Sequence, residues 1–288
     1  MKPESLALEL VGIAVEAAQP SGACVGIVDD ASEGAAVLLG KRVLVGPIDA
    51  CGQCEVCRRG GAPVCPFATR RPLPVPARIR VSSRWTVTLG DGLELPVPAA
   101  AAVAGDVTTA YTLYARTGLS AREPVVVLGT NAISRFLVEI LRAKGITPTV
   151  LVDGDHAAWR DWLLAKGAAV VSGDPSTLHA TVTAAISAQG QGARPWRLIV
   201  TDARELPRAA SLAGPRATLT VLTTGDTPPV PGDLLAREVT IIGVAGPHPD
   251  LVVEAAALCV KGEIDLAGGV TVGAPTDATR AHVIAIDR

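Results

Sequence analysis

The sequence predicts an α/β protein in two parts, a β-rich domain followed by a doubly wound parallel sheet, and three observations carry that prediction. Residues 107–245 alternate short apolar runs with helix-length stretches, the pattern of strand and crossover helix repeated along a parallel sheet. Hydrophobic residues make up 49% of the 288 and aromatics only 3%, so the interior is built from Ala, Val, Leu and Ile. Such residues suit strands buried on both faces. Residues 1–106 are instead rich in Gly, Pro and Val, and Pro63, Pro66, Pro72, Pro74, Pro76, Pro96 and Pro98 exclude long helices there.

Taken in order, the strand-like runs of the first part are 6–15, 23–28 and 41–46. In the second part, strands are expected at 124–128, 149–152, 168–171, 197–201, 217–222 and 239–245. Helices are expected at 134–144, 157–166, 178–188 and 205–213, and in the first of these Phe136, Leu137, Ile140 and Leu141 keep the spacing of one apolar face. Residues 246–288 read as a helix at 251–261, a turn and a last strand at 282–286. Asp250 is suited to open that helix and Gly262 to close it.

Charge narrows the function. Charged residues are 19% of the chain and the net charge is -2, which leaves no electrostatic footprint for nucleic acid or an anionic membrane. The apolar runs fall short of a spanning helix. The first residues lack the basic flank, apolar run and cleavage site of a signal peptide. The expectation is a soluble, cytoplasmic protein.

Four of the six cysteines fall within fifteen residues: Cys51, Cys54, Cys57 and Cys65. Cys-x2-Cys spacing turns two thiolates toward one point, Gly52, Gly60 and Gly61 relieve backbone crowding, and a later cysteine closes a tetrahedron around one zinc ion. Four thiolates leave no open position, so such a zinc is structural. Arg58 and Arg59 are placed to offset part of its charge. Free or disulfide-bonded cysteines are the weaker alternative. A redox dithiol is weaker still, because no helix start is expected after a strand here.

The run from Gly40 to Cys65, GKRVLVGPIDACGQCEVCRRGGAPVC, resembles the structural-zinc lobe of zinc-containing medium-chain dehydrogenases, the alcohol dehydrogenase-like family. Residues 104–145 resemble that family's passage into its nucleotide-binding domain, and GEIDL with the Val-Thr pair after it resembles the return to the first domain. The resemblance covers about residues 20–288. It implies a GroES-like domain made of 1–106 and 246–288, carrying the zinc loop 51–65, and a Rossmann domain at 107–245. It also implies an oxidoreductase moving a hydride between a small-molecule alcohol or carbonyl and a nicotinamide. The family pairs Rossmann sheets edge to edge through the last strand, here 239–245, which implies a homodimer or a heteromer.

The cofactor motif departs from the family pattern. Gly129, Asn131 and Ser134 stand where G-x-G-x-x-G is expected between a strand and a helix. The first glycine serves the tight turn and is kept, the second lets pyrophosphate approach the backbone, and the third lets helix and strand pack closely. Asn131 would place a side chain in phosphate space. Asp153 ends the next strand at the interval where an acid holds the adenosine ribose, and with Asp155 it favours NAD(H) over NADP(H). Thr109 matches a position beside the nicotinamide.

Catalytic zinc needs an open coordination site, and its family ligands are missing. By the resemblance, Ser21, Gly22, Ala23 and Cys24 stand for the Gly-His-Glu element, and the early cysteine is expected to be absent, because barely twenty residues precede Gly22. Gly105 takes the third ligand's place, with Asp106 one position late. Cys24 and Asp106 make only two donors. Of the histidines, only His248 is placed near the junction of the two domains. Cys259 reads as a core residue. Losing the pocket wall is expected to leave the cleft open to water. Two readings stay open: an NAD(H)-linked oxidoreductase working without metal, with Tyr111 or water as proton donor, and a non-catalytic scaffold, regulator or partner subunit.

Overall fold

A computed structural model of the chain describes residues 10–71, 75–90, 92–120, 123–152, 156–173, 175–190, 196–223, 228–273 and 280–286. Asp153 and Asp155 lie outside the described residues, as do Pro72 and Pro74.

The chain opens with β1 (Leu10–Ala18), β2 (Cys24–Ala31) and β3 (Arg42–Val45). Then come β4 (Ile48–Asp49), the one-turn helix α1 (Glu55–Arg58), β5 (Thr69–Arg70), β6 (Arg78–Ser82) and β7 (Thr86–Thr88). Alternation builds β1: Val11, Ile13 and Val15 point inward and are buried, as period-two side chains must on a one-faced sheet. β2 and β6 flank β1 antiparallel, β3 pairs with β2, and β7 with β3. β4 pairs with β5 as a separate two-stranded ribbon around the cysteine loop.

Next, α2 (Val97–Ala102) runs without a break through a π-turn (Val103–Val107) into α3 (Thr108–Thr117). The expectation that prolines keep long helices out of the first part therefore fails at its end. Pro98 lies in the first helical turn, where its missing N–H has no partner to lose, and Ala99 to Ala102 are all buried. The hydroxyl of Thr108 donates to the Val103 carbonyl at 2.5 Å and that of Thr109 to the Gly105 carbonyl at 2.9 Å. These side chains serve carbonyls around the widened turn.

The second sheet alternates as expected: β8 (Val125–Leu128), α4 (Ala132–Ala143), β9 (Thr149–Leu151), α5 (Ala157–Ala165), β10 (Ala169–Val171) and α6 (Pro175–Ala188). It continues through β11 (Arg197–Val200), α7 (Leu206–Leu212), β12 (Thr218–Leu222), α8 (Asp233–Ala236) and β13 (Thr240–Val244). Its order is β10-β9-β8-β11-β12-β13, every pair parallel. The order reverses between β8 and β11, the switch point at which such sheets form their crevice. Phe136, Leu137, Ile140 and Leu141 are fully buried, as their spacing predicted.

Finally, α9 (Val252–Val260) and α10 (Leu266–Gly269) lead to β14 (Val270–Val272) and β15 (Ala281–Ala285). β15 returns to pair antiparallel with β1. Asp250 does not cap α9. It sits inside a 3-10 turn, Pro249–Leu251, that precedes the helix, so Leu251 takes the cap position. Gly262 follows α9 with φ of 74°, the left-handed stop expected of it.

One apolar core spans both sheets. Ala17, Val25 and Leu44 from the first share a cluster with Val107 and Leu113 of the connecting helix and with Val127 and Phe136 beyond it. Among the described residues, no helix is long and apolar enough to cross a membrane.

Candidate functional site

The cysteine lobe assembles as the spacing predicted. The four Sγ atoms lie within 4.8 Å of one another, with Cys51–Cys57 at 3.9 Å, Cys54–Cys65 at 3.8 Å and Cys51–Cys65 at 3.6 Å. Zinc–sulfur bonds of about 2.3 Å require tetrahedron edges of about 3.8 Å. A disulfide needs about 2.05 Å, and all four thiols are free. The donor set fits one zinc ion and leaves it no open position.

Backbone N–H groups already favour thiolates here. Those of Gln53 and Cys54 pull the Cys51 thiol down to about 6, and Cys57 N donates to Cys54 Sγ at 3.4 Å. Burial, with the neighbouring sulfurs, pushes Cys57 up to about 12; in a zinc site the metal's charge displaces that proton. A one-turn helix does start here, with Cys54 as its N-cap, so the absence of a helix start is not what sets this loop apart from a redox dithiol. Arg58 and Arg59 are also not turned to the sulfurs: both pair with Glu55, at 3.7 and 2.8 Å.

Residues far away in sequence hold the lobe, and sequence reasoning missed them. Trp85 Nε1 donates to the Ala50 carbonyl and Arg84 to the Gly52 carbonyl, both at 2.9 Å. His248 Nε2 meets the Gly60 carbonyl at 2.5 Å while its backbone N–H donates to Thr112 Oγ1, tying the lobe to α3. Arg71 is buried and donates to the Gly22 and Gly46 carbonyls at 2.8 and 2.7 Å and to Asp49 Oδ1 at 2.8 Å. Cys24 lies beside Arg71 (3.9 Å), and burial pushes its thiol up to about 11.

At the switch point, Gly129 has φ of 118°, and a Cβ there would stand 2.2 Å from Thr201 Oγ1. Asn131 is the N-cap of α4: its Oδ1 accepts from Ser134 N at 2.9 Å and Ser134 Oγ at 3.1 Å, and its Nδ2 donates to the Thr201 carbonyl at 3.2 Å. Ser134 Oγ and Thr201 Oγ1 are 2.5 Å apart, both buried, and Thr201 Oγ1 also meets the Leu128 carbonyl. Gly129, Asn131 and Ser134 are thus brought together, but as a closed hydrogen-bond knot. A helix start binds anions through its free N–H groups, and here the Asn131 side chain takes that of Ser134. Asn131 thus occupies one of the N–H groups that a pyrophosphate would use at a helix start. Beside the knot, a cavity of about 330 Å³ is lined by Gly129, Thr130, Leu151, His156, Asp202 and Arg208, among others.

The expected metal position is filled as well. A Cβ on Gly105 would stand 1.6 Å from Gln19 Oε1 and 3.2 Å from the Ala23 Cβ. Gln19 and Ala23 are buried, 1% and 0% exposed. The space beside Gly105 is therefore filled by buried side chains. Arg71 and Asp49 are the charges around Cys24, whereas burial alone lifts Asp106 to about 6. Among the described residues, Cys24 and Asp106 belong to no group of three or more side chains that could hold a metal ion; the four-cysteine cluster is the group found. Thr109 is buried with its hydroxyl committed to Gly105. Tyr111 is half-buried, its phenol raised mainly by burial and then by Glu254 and Tyr114.

No family model matches the chain, and no curated protein matches it. Solved structures do. An alcohol dehydrogenase from a Thermus species is 16% identical over 96% of this chain and 92% of its own, at a TM-score of 0.79. A short-chain alcohol dehydrogenase of Escherichia coli, solved with NADH, is 16% identical over 96% and 92% at a TM-score of 0.77. A thermostable alcohol dehydrogenase of Pyrobaculum aerophilum with bound cobalt and zinc is 17% identical over 96% and 91% at 0.75. Identity this low speaks for architecture alone: the chain has the alcohol dehydrogenase fold, a β-rich lobe joined to a Rossmann sheet.

Proposed function

We propose that this chain is a zinc-stapled protein of the alcohol dehydrogenase fold that has given up metal-assisted hydride transfer and serves as a non-catalytic partner subunit. The observation that carries the reading is the knot of Asn131, Ser134 and Thr201 at the start of α4, which takes the Ser134 N–H where a dinucleotide's pyrophosphate would bind. The cysteine geometry supports one structural zinc, and thiolates kept reduced suit a cytoplasmic setting. Fluorescence titration with NADH tests it: no binding at millimolar levels is expected, and saturable binding at micromolar levels overturns it. Metal analysis accompanies the titration. About one zinc per chain is expected, and a second tightly held equivalent counts against the reading.

The edge strand β13 supports the subunit role. Among the described residues it pairs on one side only, and Ile241 is 37% exposed, so its other edge offers backbone groups that a homodimer or heteromer would cover. A second reading, an NAD(H)-linked oxidoreductase without catalytic metal, draws on the Gly129 turn and the cavity beside it, with Tyr111 as proton donor to a small carbonyl substrate. The same NADH titration decides between the two.

A further inference from the structure

We propose that Gln19 is a bolt: its side chain fills the space where a third metal ligand would project from position 105, and so fastens the β1–β2 turn to the connecting helix as one rigid body. Four observations meet at this residue. The turn is fixed from both ends, Gln19 N donating to the Ala23 carbonyl at 2.8 Å and Gly22 N to the Gln19 carbonyl at 2.9 Å. Buried Arg71 holds the same turn through the Gly22 carbonyl. The Gln19 side chain then lies so near Gly105 that any Cβ there would overlap its amide, 1.6 Å from Oε1 and 2.8 Å from Cδ. Finally, the apolar core runs without interruption from Ala17, Ala23 and Val25 into Val103, Ala104 and Val107 around this contact.

Fill, rather than hydrogen bonding, explains the residue. Oε1 has one long contact, from Ser21 Oγ at 3.4 Å, and Nε2 is buried with no partner among the described residues. A buried unpartnered amide is unfavourable by itself, so its place must be set by shape. Gln19 and Gly105 are then a matched pair, large against absent, and the bulk of neither can change alone. Hinged enzymes of two lobes open and close around a site; a side chain wedged between turn and helix opposes that motion.

A double-mutant cycle read by thermal melting tests the pairing. Gly105→Ala is expected to melt at least about 5 °C below the unmodified chain, because the new methyl must displace the Gln19 side chain, which is 1% exposed. Gln19→Ala is also expected to melt lower, as it leaves a cavity. The double variant Gln19→Ala with Gly105→Ala should recover most of the Gly105→Ala loss, since the new methyl enters the vacated space. Additive losses, or a Gly105→Ala chain that melts with the unmodified one, overturn the proposal. Gln19→Leu keeps the bulk and removes the amide, so it should melt at or above the unmodified chain; melting as low as Gln19→Ala overturns the proposal too. Hydrogen exchange in Gln19→Leu and Gln19→Ala should differ at residues 17–25 and 100–113 and agree at 51–65. A uniform difference contradicts a local bolt. NADH binding would remove the non-catalytic reading and leave this cycle intact.

Discussion

Gly129 and Asp106 show how single residues are constrained by what surrounds them. Gly129 combines φ of 118° with a Cβ position 2.2 Å from Thr201 Oγ1, so Gly129→Ala meets both backbone strain and overlap. A loss of roughly 2–4 kcal/mol in urea unfolding is expected, and a neutral substitution would contradict the knot described at the switch point. Asp106 is lifted to about 6 from 3.8 by burial. Its folded pKa lies above its unfolded one, so the carboxylate destabilises the fold once charged. That cost is absent below about pH 4, grows between about 4 and 6, and is complete above. Asp106→Asn should therefore stabilise by about 2–3 kcal/mol at pH 7.5 and by almost nothing at pH 3.5. Equal effects at both pH values would show that the shift is not the cause.

At the scale of elements, the cysteine lobe has little apolar material of its own, a small cluster of Ala50, Cys57, Ala62, Cys65 and Trp85. Such a segment depends on its metal. Removing zinc with a chelator, or substituting Cys57→Ser, should lower the melting temperature and speed proteolysis within 51–65; an unchanged protease pattern would show that the ion is dispensable. Binding should also weaken as pH falls, because protons compete for the thiolates. The lobe was legible in sequence because metal ligation writes itself in local spacing. Its anchors were not: Trp85, Arg84 and His248 reach it across 35, 32 and 188 positions. For β13, Gly243→Pro removes a backbone donor from an edge strand. If a second chain pairs there, light scattering should show the mass per particle falling by half; a monomer before and after would dismiss the edge as a contact.

For the whole molecule, the sequence by itself determined the alternation that makes the parallel sheet, the buried face of α4 and the cysteine tetrahedron. Each of these is a periodic or local pattern, and close neighbours in sequence impose it. The helix from 97 to 117 was misjudged because Pro98 breaks a helix interior but not a first turn, a distinction of position that composition hides. The sequence also marked Asn131, Ser134 and Gly105 as departures from an enzyme's pattern. What fills the spaces they leave was decided only by the tertiary structure. Thr201 closes the knot from 67 residues beyond Ser134, and Gln19 reaches Gly105 across the joint between turn and helix. A missing side chain is visible in one dimension, but the neighbour that occupies its volume is chosen by packing in three.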